Sequence, residues 1–597
     1  MKRKIIFLFL ILFCVQTSFG QSRSLAENYF EQGEYAKAES IYKKLYKGNR
    51  SRSIHLLFEY VKTLQAQEKY QGAEELLKNR IDDIKVYPTL NIELGYNYQI
   101  AGDQEAADRE YDKALKLLEK NPKYAYSAGS SFQKHNLLTY AASALEIALD
   151  FKSSPSYTVR LAQIYGEQGR LKEMFGTFLD LVEKQPRYFY SVNRNFSKYI
   201  KKDPQTEANQ ILRKLLLKRL RKNPKVFYNE MLSWLFTKEQ RYQLAFTQEK
   251  AIYRRSNENN MNGLMDLARV ASNHGDNETA QKTLDFIIDE AANERVQLRA
   301  QGLKMQITVQ QSKPKNFEDV TQDFEDILKK YGTGRNTLGI QLAYAQFLAF
   351  RQNAPDQAKK LLNELLNQRI RPREEAQVKM KLGDILVLER QFNQALIYYS
   401  QIQNLLKNSG LAQQAGFKVA KTSYYKGDFE WAQTQLKILK QATSQRIAND
   451  AMELSLLISD NIKEDSTHAA LKLFAEADLF EFQEKNEAAL SVLDSVLINY
   501  KGDKIEDEAL LRKGKILEKK EKFAEAAEAY QKIIDYFGED ILADNAYYLL
   551  GKLYQTELNQ PEKAKEYFRE IVFNFSDSIF YVDARKRFRE LRGDAVK

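Results

Sequence analysis

A module of about 34 residues recurs along most of this 597-residue chain, and its period constrains the fold more than any other feature. One small or apolar position can be aligned from module to module. In the first part of the chain it recurs every 33 to 37 residues, at Ala26, Val61, Gly95, Gly129, Ala162, Phe196, Ser233 and Ala268. In the second part it occurs at Ala343, Gly383, Ala420, Ala477, Gly514 and Gly551. Such a period predicts a solenoid whose stacked units present an extended binding surface.

Each module predicts two helices separated by a short polar or glycine-containing turn. Apolar residues lie three and four apart within each half, which is typical of one helix face. Small residues let the two helices approach closely, and an aromatic side chain of the partner helix fills the space opposite. One copy shows the whole pattern, with Leu94-Gly95, Tyr98, Gly102, Ala107, Tyr111 and Ala114.

These positions resemble the tetratricopeptide repeat, in which an apolar-Gly pair, a Tyr and an Ala-x3-Phe element recur in this order. The resemblance extends over residues 24–576. It implies an all-α fold, an α-solenoid of about 14 to 15 helix pairs that wind into a right-handed superhelix. It also implies that the first helix of each pair lines the concave side.

Interruptions of the period suggest a domain organisation. The interval Ala420–Ala477 is 57 residues long, which predicts a surplus helix near 446–460. Two glycines at 332 and 334 predict a helix stop and linker. A solenoid needs a terminal helix with a polar outer face, and the Arg-rich segment 582–591 predicts this capping helix. We therefore expect a signal peptide at 1–20, an N-terminal array at 21–330 and a C-terminal array at 331–597.

The first twenty residues predict export. A basic start at 2–4, an apolar run at 5–15 and the small residues Ser18 and Gly20 are typical of a secretory signal peptide. Cys14 follows Phe13, where a lipoprotein signal needs a small residue, so we do not expect a lipoprotein. No later stretch reaches eighteen apolar residues, so we expect no transmembrane helix in the mature chain. Because Cys14 is the single cysteine, the mature chain has no disulfide and no cysteine-based metal site.

Positive charge is concentrated in one region. The chain carries a net charge of +11, and residues 184–260 contain 18 Lys or Arg against 6 Asp or Glu. The candidate contact patch is the densest part of this region: Arg213, Lys214, Lys218, Arg219, Arg221 and Lys222. These cations are either a solvated outer helix face or a contact for an acidic partner, which could be a phospholipid, a lipopolysaccharide headgroup or an acidic protein. We do not expect nucleic acid, because the neighbouring aromatic residues occupy core positions of the repeat and the chain carries an export signal.

The sequence contains no recognisable catalytic motif. Its four histidines are far apart in the chain, and it has no HExxH motif, no phosphate-binding glycine loop and no nucleophile elbow. Adjacent carboxylates such as Glu374-Glu375 are common in a chain with 29% charged residues, and we interpret them as helix surface. We therefore expect no enzyme activity, no cofactor and no metal.

A second candidate surface lies on the predicted first helices of the C-terminal array. Its residues would line a positive, aromatic-bearing concave groove: Lys421, Tyr424, Arg512, Lys515, Tyr548 and Lys552. The alternative is an ordinary solvated helix surface. The clamp that some family members use for a C-terminal carboxylate needs a Lys and an Asn four residues apart, and Lys421 has Phe417 in that place. We therefore do not expect a receptor for chaperone tails.

The function that fits these features is a non-enzymatic scaffold or adaptor. The last modules resemble those of periplasmic bacterial tetratricopeptide proteins, on residues 571–578 and 582–591. The resemblance implies a protein of the bacterial cell envelope, periplasmic or peripheral, that binds protein partners of a secretion, surface-assembly or wall-remodelling complex. The alternative is a solenoid that captures glycan or lipid through aromatic or basic surfaces. The mostly core-placed tyrosines favour the scaffold.

Overall fold

The computed structural model describes residues 22–48, 53–84, 86–256, 260–441, 444–462 and 467–594. Over these ranges the chain is helical and contains no β-strand. The predicted signal peptide lies outside the described residues. None of the described helices is both long enough and apolar enough to span a membrane.

The chain divides into two compact units, 1–267 and 268–597. The helices of the first unit are α1 (22–31), α2 (Tyr35–Gly48), α3 (Ile54–Gln65), α4 (Tyr70–Asp83), α5 (Pro88–Ile100), α6 (Gln104–Lys120), α7 (Ala125–Lys134), α8 (Leu138–Phe151), α9 (Pro155–Glu167), α10 (Leu171–Lys184), α11 (Phe189–Phe196), α12 (Glu207–Lys222), α13 (Val226–Lys238) and α14 (Tyr242–Arg255). The boundary between the units falls within α15 (Asn262–Asn273). Short 3-10 turns occur at Pro122–Tyr124 and Pro186–Tyr188.

The second unit continues the same pattern of helix pairs. Its helices are α16 (Asn277–Glu290), α17 (Glu294–Gln311), α18 (Phe317–Tyr331), α19 (Leu338–Phe350), α20 (Pro355–Leu366), α21 (Pro372–Leu388), α22 (Phe392–Leu405), α23 (Gly410–Lys426), α24 (Phe429–Leu439), α25 (Gln445–Asn461), α26 (Ala469–Phe482), α27 (Asn486–Asn499), α28 (Ile505–Lys519), α29 (Phe523–Phe537), α30 (Ala543–Thr556), α31 (Pro561–Asn574) and α32 (Tyr581–Arg592). Short 3-10 turns precede α18 and α19, at Pro314–Asn316 and Arg335–Thr337. The prediction of an all-α solenoid is confirmed, and the described helices form fifteen pairs plus α25 and α32.

The recurring position marks where the two helices of a pair touch. All fourteen aligned residues are buried, and each lies on the first helix of its pair. A Cβ atom built on Gly95 would lie 2.5 Å from Cε1 of Tyr111, and one built on Gly551 would lie 2.7 Å from Cε1 of Phe568. A real Cβ would overlap these rings, so the glycine and the aromatic residue of the next helix are matched partners.

Two helices lie outside the pairing. Helix α25 covers the range 446–460 in which the long interval predicts a surplus helix. Helix α32 buries Ala584 and Phe588 against Phe568 and Ile571 of α31, so it covers the last apolar face. The division of the chain at 330 concerns a change in repeat spacing, not the compact units, and stays a prediction.

Candidate functional site

A positively charged cleft lies on the first helices of the second unit. It has a volume of about 470 Å³, and its charged lining residues are Arg269, Arg295, Arg299, Arg335, Arg371 and Glu374. We call it the arginine cleft. Five arginines thus face a single glutamate within one depression. Like charges repel when they are gathered in this way, so the arrangement favours a ligand of negative charge.

The repeat brings these arginines together. Arg295 and Arg299 are four residues apart in the first turns of α17, so they share one side of that helix. Arg335 begins the turn that leads into α19, and Arg371 directly precedes α21. Arg299, Arg335 and Arg371 are each 36 residues apart, whereas the recurring position here lies at Gly302, Ala343 and Gly383, at intervals of 41 and 40 residues, so the three arginines do not occupy equivalent positions. Arg335 and Arg371 lie at the N-terminal ends of α19 and α21, where the helix dipole adds positive potential.

The glutamate of the arginine cleft is already engaged. Its Oε2 atom accepts a hydrogen bond from Nε of Arg335 at 2.9 Å and another from the backbone N–H of Arg371 at 2.8 Å. Burial opposes the charged form, but the Arg371 N–H and the Arg335 guanidinium hold the pKa of Glu374 below its ordinary value. Glu374 is therefore ionised at neutral pH and neutralises mainly Arg335.

Three of the other arginines have side-chain N–H donors that no described residue engages. Arg295, Arg299 and Arg371 have exposed side chains that form no hydrogen bond or ion pair with any residue that the structure describes. Apolar side chains of Leu298 and Ile340 lie between the arginines in the same lining. The arginine cleft thus offers guanidinium donors beside apolar side chains. This combination suits a peptide segment that carries both acidic and apolar side chains.

The residues of the predicted C-terminal groove do not all line an exposed surface. Asp478, on α26, is 3% exposed and accepts a hydrogen bond from Nζ of Lys421 at 2.9 Å. The same oxygen, Oδ2, accepts a hydrogen bond from the Tyr424 hydroxyl at 3.3 Å, and Nη1 of Arg512 lies 3.2 Å from the other oxygen, Oδ1. Arg512 also donates to Glu481 at 3.1 Å. We call these five residues the Asp478 network.

Tyr424 therefore does not line an exposed groove. Its side chain is completely buried because its ring packs into the core around Phe429 while its hydroxyl reaches Asp478. Burial raises the pKa of Tyr424 well above its ordinary value. Burial alone would raise the pKa of Asp478, but Lys421 and Arg512 hold it below the ordinary value. Two of the expected groove cations thus serve as counter-ions of a buried carboxylate.

The remaining groove residues are separate from that network. Lys515 is exposed on α28 and has no hydrogen bond or ion pair among the described residues. Tyr548 donates its hydroxyl to Asp583 of the capping helix at 2.8 Å and stacks on Phe580, with ring centroids 4.3 Å apart. The amine of Lys552 lies 5.8 Å from the Tyr548 ring centroid. Tyr548 and Lys552 thus belong to the packing of the last modules, and Lys515 alone is free of it.

The basic patch on α12 divides into two groups. Arg213 pairs with the fully buried carboxylate of Glu239 at 3.3 Å, and Arg219 pairs with Asp180 at 2.6 Å. These two arginines connect neighbouring modules. The other group is exposed and without hydrogen bonds or ion pairs among the described residues; we call it the α12 basic face, and it consists of Lys214, Lys218, Arg221 and Lys222.

One buried polar cluster in the first unit combines residue types that hydrolases use. Ser131 donates to Oε1 of Glu93 at 2.9 Å, and Nε2 of His135 lies 3.0 Å from the same oxygen. Both side chains thus contact the glutamate and not each other, so the order differs from a triad in which the histidine accepts the serine proton. Burial opposes ionisation of Glu93, but His135 holds its pKa below the ordinary value. Among the described residues, no group of His, Cys, Asp or Glu could hold a metal ion.

The arginine cleft was missed by the sequence analysis, although the sequence contains a signal for it. Gly302 lies 34 residues after Ala268, so it occupies the recurring position in the irregular interval before Ala343. With that module aligned, Arg295 and Arg335 lie seven and eight residues before the recurring position, so two successive first helices carry an arginine at nearly the same place. Net charge did not reveal them, because the surrounding residues are balanced in charge and the 184–260 region dominates any count.

Comparisons with known proteins agree with the repeat. Two tetratricopeptide-repeat models match the chain, one over residues 474–540 and the other over 544–572. No curated protein matches the sequence. Among solved structures, that of Naa15/Naa10 bound to HypK-THB is 11% identical, covers 97% of both chains and has a TM-score of 0.28. The hetero-tetramer Cut9-Hcn1 of APC/C is 14% identical, covers 96% of both chains and has a TM-score of 0.23. Scores this low carry no argument about function.

Proposed function

We propose that this protein is a non-catalytic scaffold that binds protein partners along the first helices of its modules. The observation that carries the proposal is the arginine cleft, where the side chains of Arg295, Arg299 and Arg371 line one depression without a hydrogen bond or ion pair to any described residue. The tetratricopeptide-repeat matches at 474–540 and 544–572 support the same class of function. A binding surface assembled from repeats suits an extended partner better than a small substrate, because each module contributes one more contact.

We place this scaffold in the bacterial cell envelope, as part of a secretion, surface-assembly or wall-remodelling complex. The support is the predicted signal peptide at 1–20, together with the absence of any thiol after Cys14. The α12 basic face is a second contact in this proposal, directed at an acidic protein or lipid surface. Its four cations have no hydrogen bond or ion pair with the part of the chain that the structure describes, so an acidic surface would relieve their mutual repulsion.

Capture of glycan or lipid through aromatic side chains is the weaker alternative. Stacking on a sugar needs exposed rings, whereas the repeat directs its tyrosines inward. The fully buried tyrosines are Tyr42, Tyr111, Tyr228, Tyr399, Tyr424 and Tyr530. These six rings are thus already used in packing.

Site-specific crosslinking in intact cells tests the scaffold. A photo-reactive amino acid at Asn336, in the lining of the arginine cleft, should yield discrete protein adducts identified by mass spectrometry. The matched control is the same amino acid at Asp326, an exposed position on the second helix α18, and should give far fewer adducts. Recovery of only one glycan or lipid species from Asn336 would contradict the scaffold and favour the alternative.

A further inference from the structure

We infer that the arginine cleft binds an extended acidic segment of a partner protein, through side-chain carboxylates held by Arg295, Arg299 and Arg371. This inference rests on the proposed function, since it specifies the chemistry of the partner that the scaffold binds. It assigns a ligand class to residues outside both surfaces that the sequence predicts.

Charge is the first argument. The three arginines are exposed and have no hydrogen bond or ion pair among the described residues, while Glu374 is engaged with Arg335 and the Arg371 N–H. A guanidinium presents several N–H donors in a plane and matches a carboxylate with two parallel hydrogen bonds. An acidic side chain would therefore find N–H donors that no described residue engages.

The placement of the arginines is the second argument. Helices α17, α19 and α21 are successive first helices, and packed helices lie about 8–10 Å apart, so the arginines extend over about 20 Å. An extended peptide advances about 3.3 Å per residue, so about six residues would cover this distance. Alternate side chains of an extended segment point the same way, so acidic residues at every second position would all face the arginines.

The rest of the lining favours a peptide over other polyanions. Exposed amides of Gln306 and Asn336 can bond to a peptide backbone, and Leu298 and Ile340 provide apolar contact between the charges. The lining contains no aromatic side chain, so it offers no stacking platform for nucleic-acid bases. Its concave form also differs from the flat basic face that a lipid surface needs.

The test is the binding of a fluorescein-labelled peptide of about nine residues, in which Glu alternates with Ala, to the full-length chain, measured by fluorescence anisotropy. We expect binding that weakens as salt concentration rises, and no binding of the same peptide with Gln in place of Glu. The variant Arg295→Gln/Arg299→Gln/Arg371→Gln should lose affinity by about a hundredfold or more, since one charge-assisted hydrogen bond accounts for about tenfold.

Two controls make the result specific. The variant Lys313→Gln/Lys315→Gln/Lys329→Gln removes the same charge from exposed positions of the same unit outside the lining, and should bind as wild type. The Arg→Lys triple variant keeps the charge and should recover part of the affinity, which a misfolded chain would not do. Circular dichroism on each variant verifies the helical fold.

Three outcomes would overturn the inference: equal binding by the Gln triple variant, an equal loss in the lysine control, or binding of a sulfated oligosaccharide but not of the Glu peptide. The proposed function fails separately. If crosslinking at Asn336 recovers the same protein partners from wild type and the Gln triple variant, the scaffold stands and the arginine cleft is not the acidic-segment site. If no protein is recovered from either, the scaffold itself fails.

Discussion

The arginine cleft and the Asp478 network are built from similar residues and differ in where the counter-charge comes from. Both place basic side chains on first helices of the second unit. In the Asp478 network, Lys421 and Arg512 lie within 3.2 Å of a carboxylate supplied by a different module, 57 and 34 residues away in sequence. In the arginine cleft the one carboxylate is engaged mainly with Arg335. The comparison indicates that cations of a first helix stay available for a partner where neighbouring modules supply few carboxylates.

Removing the carboxylate from each region should break this comparison most clearly. Asp478→Asn leaves Lys421 without its counter-ion and Arg512 with Glu481 alone, and should lower the free energy of unfolding by about 3 kcal/mol, the lower end for a disrupted buried pair, because both cations remain partly exposed. Glu374→Gln keeps the cap on Arg371 but removes the charge, and should cost less than about 1 kcal/mol. Urea unfolding of both variants gives the two values. Equal losses would mean that the regions do not differ as described.

Glycines at the helix-pair contacts and the glycine in the arginine cleft should respond to substitution in opposite ways. Gly551→Leu places a side chain against the Phe568 ring and should cost roughly 1–3 kcal/mol through overpacking, as should Gly95→Leu against Tyr111. Gly302 lines the arginine cleft, and a Cβ there would lie 3.7 Å from Cγ1 of Ile340, an ordinary contact. Gly302→Ala should therefore be neutral or stabilise the helix by up to about 1 kcal/mol.

Thermal or urea unfolding of these variants measures the difference. Unchanged stability in both Gly551→Leu and Gly95→Leu would mean that the repeat register is misassigned. A large loss in Gly302→Ala would mean that the cleft is a packed contact of the core and has no room for a ligand.

A pH titration distinguishes carboxyl groups whose pKa is raised by burial from those whose pKa is lowered by cations. Burial, together with Asp507, raises the pKa of Glu508 to about 7, and burial raises that of Asp507 to about 6. The folded state therefore holds protons that the unfolded state releases. The stability contributed by these groups is complete below the ordinary carboxyl pKa values and is lost as pH rises to about 7. The pKa of Asp478 is shifted the other way, so its contribution is lost as pH falls.

The variant Glu508→Gln isolates this effect, because the amide resembles the protonated acid. It should stabilise the protein by about 1 kcal/mol at pH 8 and change little at pH 4 to 5. Urea unfolding at several pH values provides the measurement. A variant that is less stable than wild type at pH 8 would show that Glu508 acts there mainly as a partner of Arg512.

The fold was predictable in detail because packing repeats with the sequence period. The position shared by Gly95 and Gly551 is buried wherever it was aligned, and a surplus helix near 446–460 follows from one long interval. The sites were less predictable because ion pairing depends on contacts between modules. The helical pattern predicts that Tyr424 and Arg512 lie on the surface, yet both side chains contact the buried carboxylate of Asp478. Nothing in the local sequence of either helix identifies that partner.

The smallest change in stability is expected on the α12 basic face. Reversal of Lys214, Lys218, Arg221 and Lys222 to Glu removes no hydrogen bond or ion pair among the described residues, so unfolding should change by no more than about 0.5 kcal/mol. Arg219→Ala is the matched control on the same helix, since it removes the pair with Asp180 and the hydrogen bond to the Gly176 carbonyl, and should cost more.

The same quadruple variant decides whether the α12 basic face has a partner. Single exposed charges contribute too little to measure, whereas four reversals together change the local charge by eight units. If an acidic surface binds here, envelope association and recovery of crosslinked partners should fall at low salt, and the difference should shrink as screening shortens the Debye length below about 8 Å. If both survive the reversal at low salt, these four cations form only a solvated face. The arginine cleft would then be the cationic surface on which the proposed function depends.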